Sequence, residues 1–479
     1  MRHGMSSVVL VLLATGCEIT VDKGFSSGDS GDTDSTPITD TEETVTPTAE
    51  TGDSITDPDG DGDGFPASVD CVDTDPAINP DADEHCDGFD NNCNAITDDE
   101  FAATLDGAMS YATIDEALAG AVDGSRVDVC PGTHVMTPHT VTAGLTVRGV
   151  SGMGATTISG DATGAVFTVD EGGALVLRGV HLQGVPDRTS SARLVTLMGD
   201  DPILELLESS LTDNAYGALE VAETEDAQVT ITDSDISQNG LPADPGAALP
   251  AMPEMGGGIF SVGGVTFSIT NSTISANNAI DGGGIYASNP FGAQPMNLDA
   301  VTIDGNVAED EGGGLFSIHV LVVGTNGTIV SGNSAVTGGG LVAMYAELQG
   351  LLVSTNTASL LGGGAQVAFD SFYSLLPDST LTGIVFDQNT APEAAAIWAD
   401  ESVTIDSSSA VTLNTATTGG AVGCVADGDV EIESLGADFG SSASANDNTP
   451  TDVYVASTAF VYDGAATFTC VCDTGCVTP

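Results

Sequence analysis

One short unit recurs over residues 211–422 and limits the folds open to this chain. An apolar residue stands three positions ahead of an Asn at Asn214, Asn239, Asn277, Asn306, Asn333, Asn356, Asn389 and Asn414. A run of small residues follows, usually five or six positions later: Gly-Gly-Gly at 256–258, 282–284, 312–314, 338–340 and 362–364, Ala-Ala-Ala at 394–396, Gly-Gly at 419–420. Self-similarity at a period of about 20–30 residues marks a solenoid.

The local pattern selects the kind of solenoid. Apolar residues alternate with Ser and Thr ahead of each Asn, as at Val229 and Ile231 or Val265, Phe267 and Ile269. That is the period of a strand. Glycine runs are foreign to helix interiors, where each Gly costs about 1 kcal/mol against Ala. Each repeat is therefore a coil of short strands and tight turns. Stacked coils give an all-β, right-handed parallel β-helix with rungs about 4.8 Å apart. The Asn is expected at one turn of every rung, in left-handed geometry, bonded to the Asn of the next rung. The Gly run is expected where backbones approach too closely for a Cβ.

The pairing of apolar–x–x–Asn with Gly-Gly-Gly-Ile resembles the repeats of polymorphic outer-membrane proteins, and more broadly the pectin-lyase-like β-helix. Phe386-Asp387-Gln388-Asn389 and Gly282-Gly283-Gly284-Ile285-Tyr286 are near copies. The resemblance implies a fold over about half the chain; it does not carry a function.

Charge excludes some partners. The net charge is −63, with 7 Lys and Arg in all and none after Arg193. Phosphate backbones are bound by Lys and Arg, so nucleic acid is not an expected partner. Such an acid excess suits solubility, cation binding or a salty medium.

Residues 1–16 read as a secretory signal: Arg2, then the apolar run 8–13, too short to cross a bilayer. Leu13-Ala14-Thr15-Gly16-Cys17 resembles a bacterial lipobox, which implies lipidation of Cys17 and a membrane anchor. Residues 17–58, rich in Ser, Thr, Asp, Gly, Glu and Pro, are expected to be a disordered acidic tether.

Residues 59–100 carry the most specific chemistry. Asp59, Asp61, Asp63 and Asp70 fall at positions 1, 3, 5 and 12 of a loop with Gly64 at position 6. Alternate hard-oxygen ligands, a glycine bend and a closing acid are the requirements of a Ca²⁺ loop. Pro58 and Pro66 oppose the flanking helices of an EF-hand. The stretch from Asp70-Cys71-Val72-Asp73 through Glu84-His85-Cys86-Asp87-Gly88-Phe89-Asp90-Asn91-Asn92-Cys93 resembles the metal-binding motif of MopE-type bacterial surface proteins. The resemblance implies further ligands at Asp73, Asp75, Asp87 and Asp90. Val72, Asp81 and Asn94-Ala95 depart from its pattern. His85 stands alone among carboxylates and is expected to be exposed.

With Cys17 lipidated, eight cysteines remain, an even number for an exported protein. Cys71, Cys86, Cys93 and Cys130 group at one end; Cys424, Cys470, Cys472 and Cys476 group at the other. Two disulfides are expected at each end, with Cys86–Cys93 the favoured pair. A helix over 111–121, with Ile114, Leu118 and Ala121 on one face, opens the solenoid domain (101–479) as its cap. Insertions at 240–255, 289–296 and 370–379 interrupt the rhythm and are expected as loops, with Phe291, Phe372 and Tyr373 upon them.

Many β-helices cleave polysaccharides. A lyase base could come only from Arg126, Arg148, Arg178, Arg188 or Arg193; Asp233 and Asp235 form the one same-strand carboxylate pair worth weighing for hydrolysis. The sequence favours a non-enzymatic, lipid-anchored, monomeric protein of the outer membrane or cell surface. It would display a scaffold to surface components or glycans, with a polysaccharide lyase or glycosidase as the alternative.

Overall fold

The computed structural model describes residues 57–478, apart from 87–88, 96–100, 162, 185–191, 241–254, 290–293, 345–346, 369–378, 426–429, 442–445 and 456. The expected signal, Cys17 and nearly all of the expected tether lie outside the described residues, as do Asp87 and Arg188. So do most of the three insertions, with Phe291, Phe372 and Tyr373.

The chain winds into a parallel β-helix. One face stacks Ser125–Val129, Gly144–Gly149, Ala174–Arg178 and Ile203–Leu207, and continues in parallel register to Val403–Ile405 and Glu431–Asp438. A second face runs from Gly132–Met136 through Thr156–Gly160 to Ala410–Thr412. A third runs from His139–Val141 through Phe167–Val169 to Val453–Val455. Two long strands, Leu219–Thr232 and Ile259–Thr270, turn the corner between faces without breaking. From Asn278–Asp281 onward each rung adds a short fourth side, ending at Thr415–Ala416.

The inward residues explain the repeat. Leu211, Ile236, Ile274, Ile303, Val330, Val353, Phe386 and Val411, the apolar members of the unit, are wholly buried in one continuous core. Burial of each such side chain contributes roughly 1.5–3 kcal/mol.

The Asn residues form a ladder. Each backbone N–H from Asn214 to Asn389 donates to the side-chain oxygen of the next Asn at 2.9–3.1 Å, and Asn414 donates to Asn448. From Asn239 on, the side-chain Nδ2 bonds that same oxygen and a carbonyl of the preceding rung. The left-handed geometry expected of the Asn falls instead on the residue before it. Gln238, Ala276, Thr355, Gln388 and Leu413 have φ of 59°, 53°, 56°, 56° and 59°, and Gly305 and Gly332 both 63°. That residue reverses the chain so that the Asn side chain can point inward along the stack.

The Gly runs sit where rungs touch. A Cβ on Gly283 would lie 2.4 Å from the Val307 carbonyl oxygen, and one on Gly313 2.3 Å from that of Gly339. Both ends of the solenoid are blunted by antiparallel strands, which cover the unpaired edge of a parallel sheet. Ala103–Leu105 pairs antiparallel with Ser125–Val129, and Ala465–Val471 with Glu431–Asp438. The cap helix is shorter than the sequence implies, Ile114–Gly120, because 109–111 forms a strand. Thr113 caps it by accepting from the Glu116 N–H, and Ile114, Ala117 and Leu118 are buried.

Candidate metal centre

Glycine shapes the acidic loop. Gly62 and Gly64 adopt φ of 86° and 106°, which fold residues 59–64 into a tight coil. Asp59 closes it, its Oδ1 accepting from Gly62 N–H at 2.6 Å and its Oδ2 from Gly64 N–H at 3.0 Å. Asp61 Oδ1 accepts from Asp63 N–H at 3.2 Å, and Asp63 Oδ1 from Phe65 N–H at 2.8 Å. The coil leaves carboxylate oxygens of Asp59, Asp61 and Asp63 within 4.8 Å of one another.

Among the described residues, Asp61 Oδ2, Asp63 Oδ2 and Asp70 Oδ2 are buried without a hydrogen-bond partner, and Asp70 is only 6% exposed. Orphaned anionic oxygens are costly unless a cation meets them. Desolvation raises the Asp61 pKa, a hydrogen bond from Asp63 opposes it, and the charges of Asp63, Asp70 and Asp59 add to the rise. Asp59, Asp61 and Asp63 fit a hard cation: oxygen donors only, crowded charge and a tight, glycine-favoured bend, while Asp70 groups with Cys71 and Cys93.

The other expected ligands divide. Asp73 clamps the loop: its Oδ1 accepts from Gly60 N–H at 2.7 Å, and a Cβ on Gly60 would lie 2.3 Å from its carbonyl oxygen. Asp75 is exposed and accepts from Ala77 N–H, closing its own turn. Asp90 begins a second coil of the same backbone design. Its oxygens accept from Asn94 and Ala95 N–H at 3.0 and 2.7 Å, and Cys93 and Ala95 take the left-handed positions that Gly62 and Gly64 take in the first. Ala95 holds a φ of 74° there, so the departure from glycine has not undone the turn. Glu84, 1% exposed, accepts from Asn92 N–H at 2.8 Å and was not singled out by the sequence pattern. His85 is exposed.

The disulfides are Cys71–Cys93, Cys86–Cys130, Cys424–Cys472 and Cys470–Cys476. Two bridges at each end agree with the grouping, but the favoured Cys86–Cys93 pair does not form. Cys93 is turned toward Cys71 by the second coil, and Cys86 packs inward against the Asp128 carbonyl at the first rung. Asp70, Cys71 and Cys93 also cluster, but both sulfurs are spent in the disulfide and offer no thiolate.

Three of the described arginines are ion-paired. Arg126 and Arg148 both bind Asp128, at 3.0 and 2.7 Å, and Arg178 binds Glu208 at 3.1 Å. Arg193 is 4% exposed and donates to the carbonyls of Met255 and Gly256. Asp233 and Asp235 do not share a strand face. Asp233 occupies a left-handed turn at φ 51°, between Leu219–Thr232 and Asp235–Ser237.

Residues 70–99 match the family model for Cu-binding MopE, described as a "putative metal-binding motif". The Asp59–Asp63 coil lies just ahead of the matched stretch. No curated protein and no solved structure matches the chain.

Proposed function

We propose that this is an exported, lipid-anchored surface protein in which Ca²⁺ orders an acidic module docked on the first rung of a β-helix display scaffold. The convergence of Asp59, Asp61 and Asp63 with partnerless oxygens on Asp61, Asp63 and Asp70 carries the reading. Asp59, Asp61, Asp63 and Asp70 would hold the ion, which would neutralise their mutual repulsion and thereby order the module. Asp73 keeps the coil closed, and Cys86–Cys130 ties the module to the solenoid.

The family model is named for copper. Copper prefers imidazole and sulfur ligands, whereas the coil presents carboxylates and His85 stands exposed away from it. Calcium suits the donors better. The scaffold reading over an enzymatic one rests on Arg126, Arg148, Arg178 and Arg193, which are engaged in structural bonds, and on the Asp233–Asp235 geometry. Lipidation of Cys17, export and outer-membrane or cell-surface placement rest on the sequence of residues 1–17.

Calorimetric titration of the full chain with Ca²⁺ and Cu²⁺, repeated on Asp61→Asn/Asp63→Asn, tests this. Calcium heat that disappears in the variant supports it. Copper binding with no calcium heat, or calcium heat unchanged in the variant, overturns it.

A further inference from the structure

The strands that follow the glycine runs set one residue per rung, pointing away from the main core, into a column that is half-buried at Phe260, Tyr286 and Trp398 and buried at Phe316, Val342 and Gln366. Phe260, Tyr286, Phe316, Val342, Gln366 and Trp398 occupy matched register positions. Phe260 and Tyr286 stack at 5.7 Å, Tyr286 and Phe316 at 5.0 Å. Phe316 and Val342 form a small cluster separate from the main core. On the short fourth side, a polar column of Asp281, Glu311 and Thr337 runs in register beside it. Only the glycine turns separate the two: a Cβ on Gly338 would come 2.5 Å from Val342, and one on Gly312 3.1 Å from Phe316.

Asp400 joins the columns. Its Oδ1 accepts from Trp398 Nε1 at 2.8 Å and its Oδ2 from Gln366 Nε2 at 2.6 Å. Gln366 is 8% exposed, and with its nitrogen committed to Asp400 its Oε1 has no partner among the described residues. Thr337 Oγ1 is likewise buried and unpartnered among the described residues. The polar lining is thus dominated by acceptors: three carboxylates and an amide oxygen. Desolvation first, and then the charges of Asp281, Asp310 and Asp400, push Glu311 up to about 7. The chain has no Lys or Arg after Arg193 to answer this charge. At the start of the same column Arg193 already lies over the Phe260 ring, 5.2 Å from its centroid. A guanidinium therefore fits these aromatics, and acceptors beside aromatic faces are what bind organic cations.

We propose that the strip between Asp281 and Asp400 docks Lys or Arg side chains of a basic partner polypeptide. The reading is independent of the calcium module.

Trp398 is the chain's one tryptophan and sits in the strip, so its fluorescence reports occupancy. The full chain is titrated with tetra-arginine and tetra-lysine in about 0.15 M salt, where long-range attraction is screened. A saturable change in Trp398 emission is expected. Glu311→Gln/Asp400→Asn should weaken it at least about tenfold, as loss of buried charge partners does. Glu347→Gln/Glu431→Gln, two exposed acids on another face, should leave it unchanged; melting curves of both variants test that they fold. Equal affinity in the two variants, or peptide binding without a Trp398 response, would show unspecific attraction to an acidic protein and overturn the proposal. A Trp398 response to Ca²⁺ alone or to a neutral oligosaccharide, with none to the peptides, would overturn it too.

Discussion

Replacing Asn306 with Ala should open the solenoid locally at a calculable cost. Asn306 is fully buried in mid-ladder. Its Oδ1 accepts from the backbone and side-chain nitrogens of Asn277, both at 3.0 Å. Its Nδ2 donates to the Ile274 carbonyl at 2.9 Å and to Asn333 Oδ1 at 3.0 Å. Alanine removes all four bonds and leaves the Asn277 N–H buried without an acceptor. At about 1 kcal/mol net per bond, with the orphaned N–H costing about 1–3 kcal/mol more, the loss should be roughly 5–7 kcal/mol. Asn214→Ala should cost less, about 2 kcal/mol at the same rate, because its side chain donates only to Ala192 and Gly217 carbonyls among the described bonds. A solenoid opens rung by rung, so native-state hydrogen exchange is the sharper assay and chemical denaturation the second. Exchange at the Asn277 amide should accelerate by at least about 10²-fold, with smaller effects several rungs away. A loss below about 1 kcal/mol, or an unchanged Asn277 amide, would refute the ladder as a source of stability.

Other perturbations test other parts. Gly313→Ala forces a Cβ to 2.3 Å from the Gly339 carbonyl oxygen and should lower the melting temperature sharply, whereas Gly327→Ala, with open space around it, meets only its φ of 86° and should cost less. Cys86→Ser cuts the 44-residue link to Cys130, and loop-closure entropy puts that link at about 4 kcal/mol. Limited proteolysis should then cleave the acidic module while leaving the solenoid intact. Glu311 binds its proton more tightly folded than unfolded, so its contribution to stability falls as pH rises from its ordinary 4.5 toward about 7. Glu311→Gln should therefore raise the melting temperature more at pH 8 than at pH 4, and an equal effect at both would contradict the assignment.

The solenoid was legible because its determinants are local and repeated. Alternation, Asn and glycine runs each answer a requirement that recurs at every rung. Asn448, the ladder's last member, escaped because residues 426–447 break the spacing. The first acidic coil was legible for the same reason: alternate carboxylates and a glycine specify a turn within six residues. What could not be read were contacts set by tertiary placement. Cys86 and Cys130 meet only because the module sits on the first rung. Glu84 and Asp73 act on backbone N–H groups brought to them by folding. The Asp233–Asp235 pair failed because a turn residue was counted as part of a strand. The Trp398, Gln366 and Asp400 strip needs the inter-rung register, which spacing interrupted by insertions conceals.

A calcium ion in the coil at residues 59–70 is open to direct observation. The most direct measurement is a crystal structure of the chain grown with Ca²⁺, with anomalous scattering used to identify the ion. One calcium peak is expected among Asp59, Asp61, Asp63 and Asp70, with ligand oxygens about 2.3–2.6 Å away. A coil without an ion at saturating calcium, or a metal seated instead at His85, would contradict it.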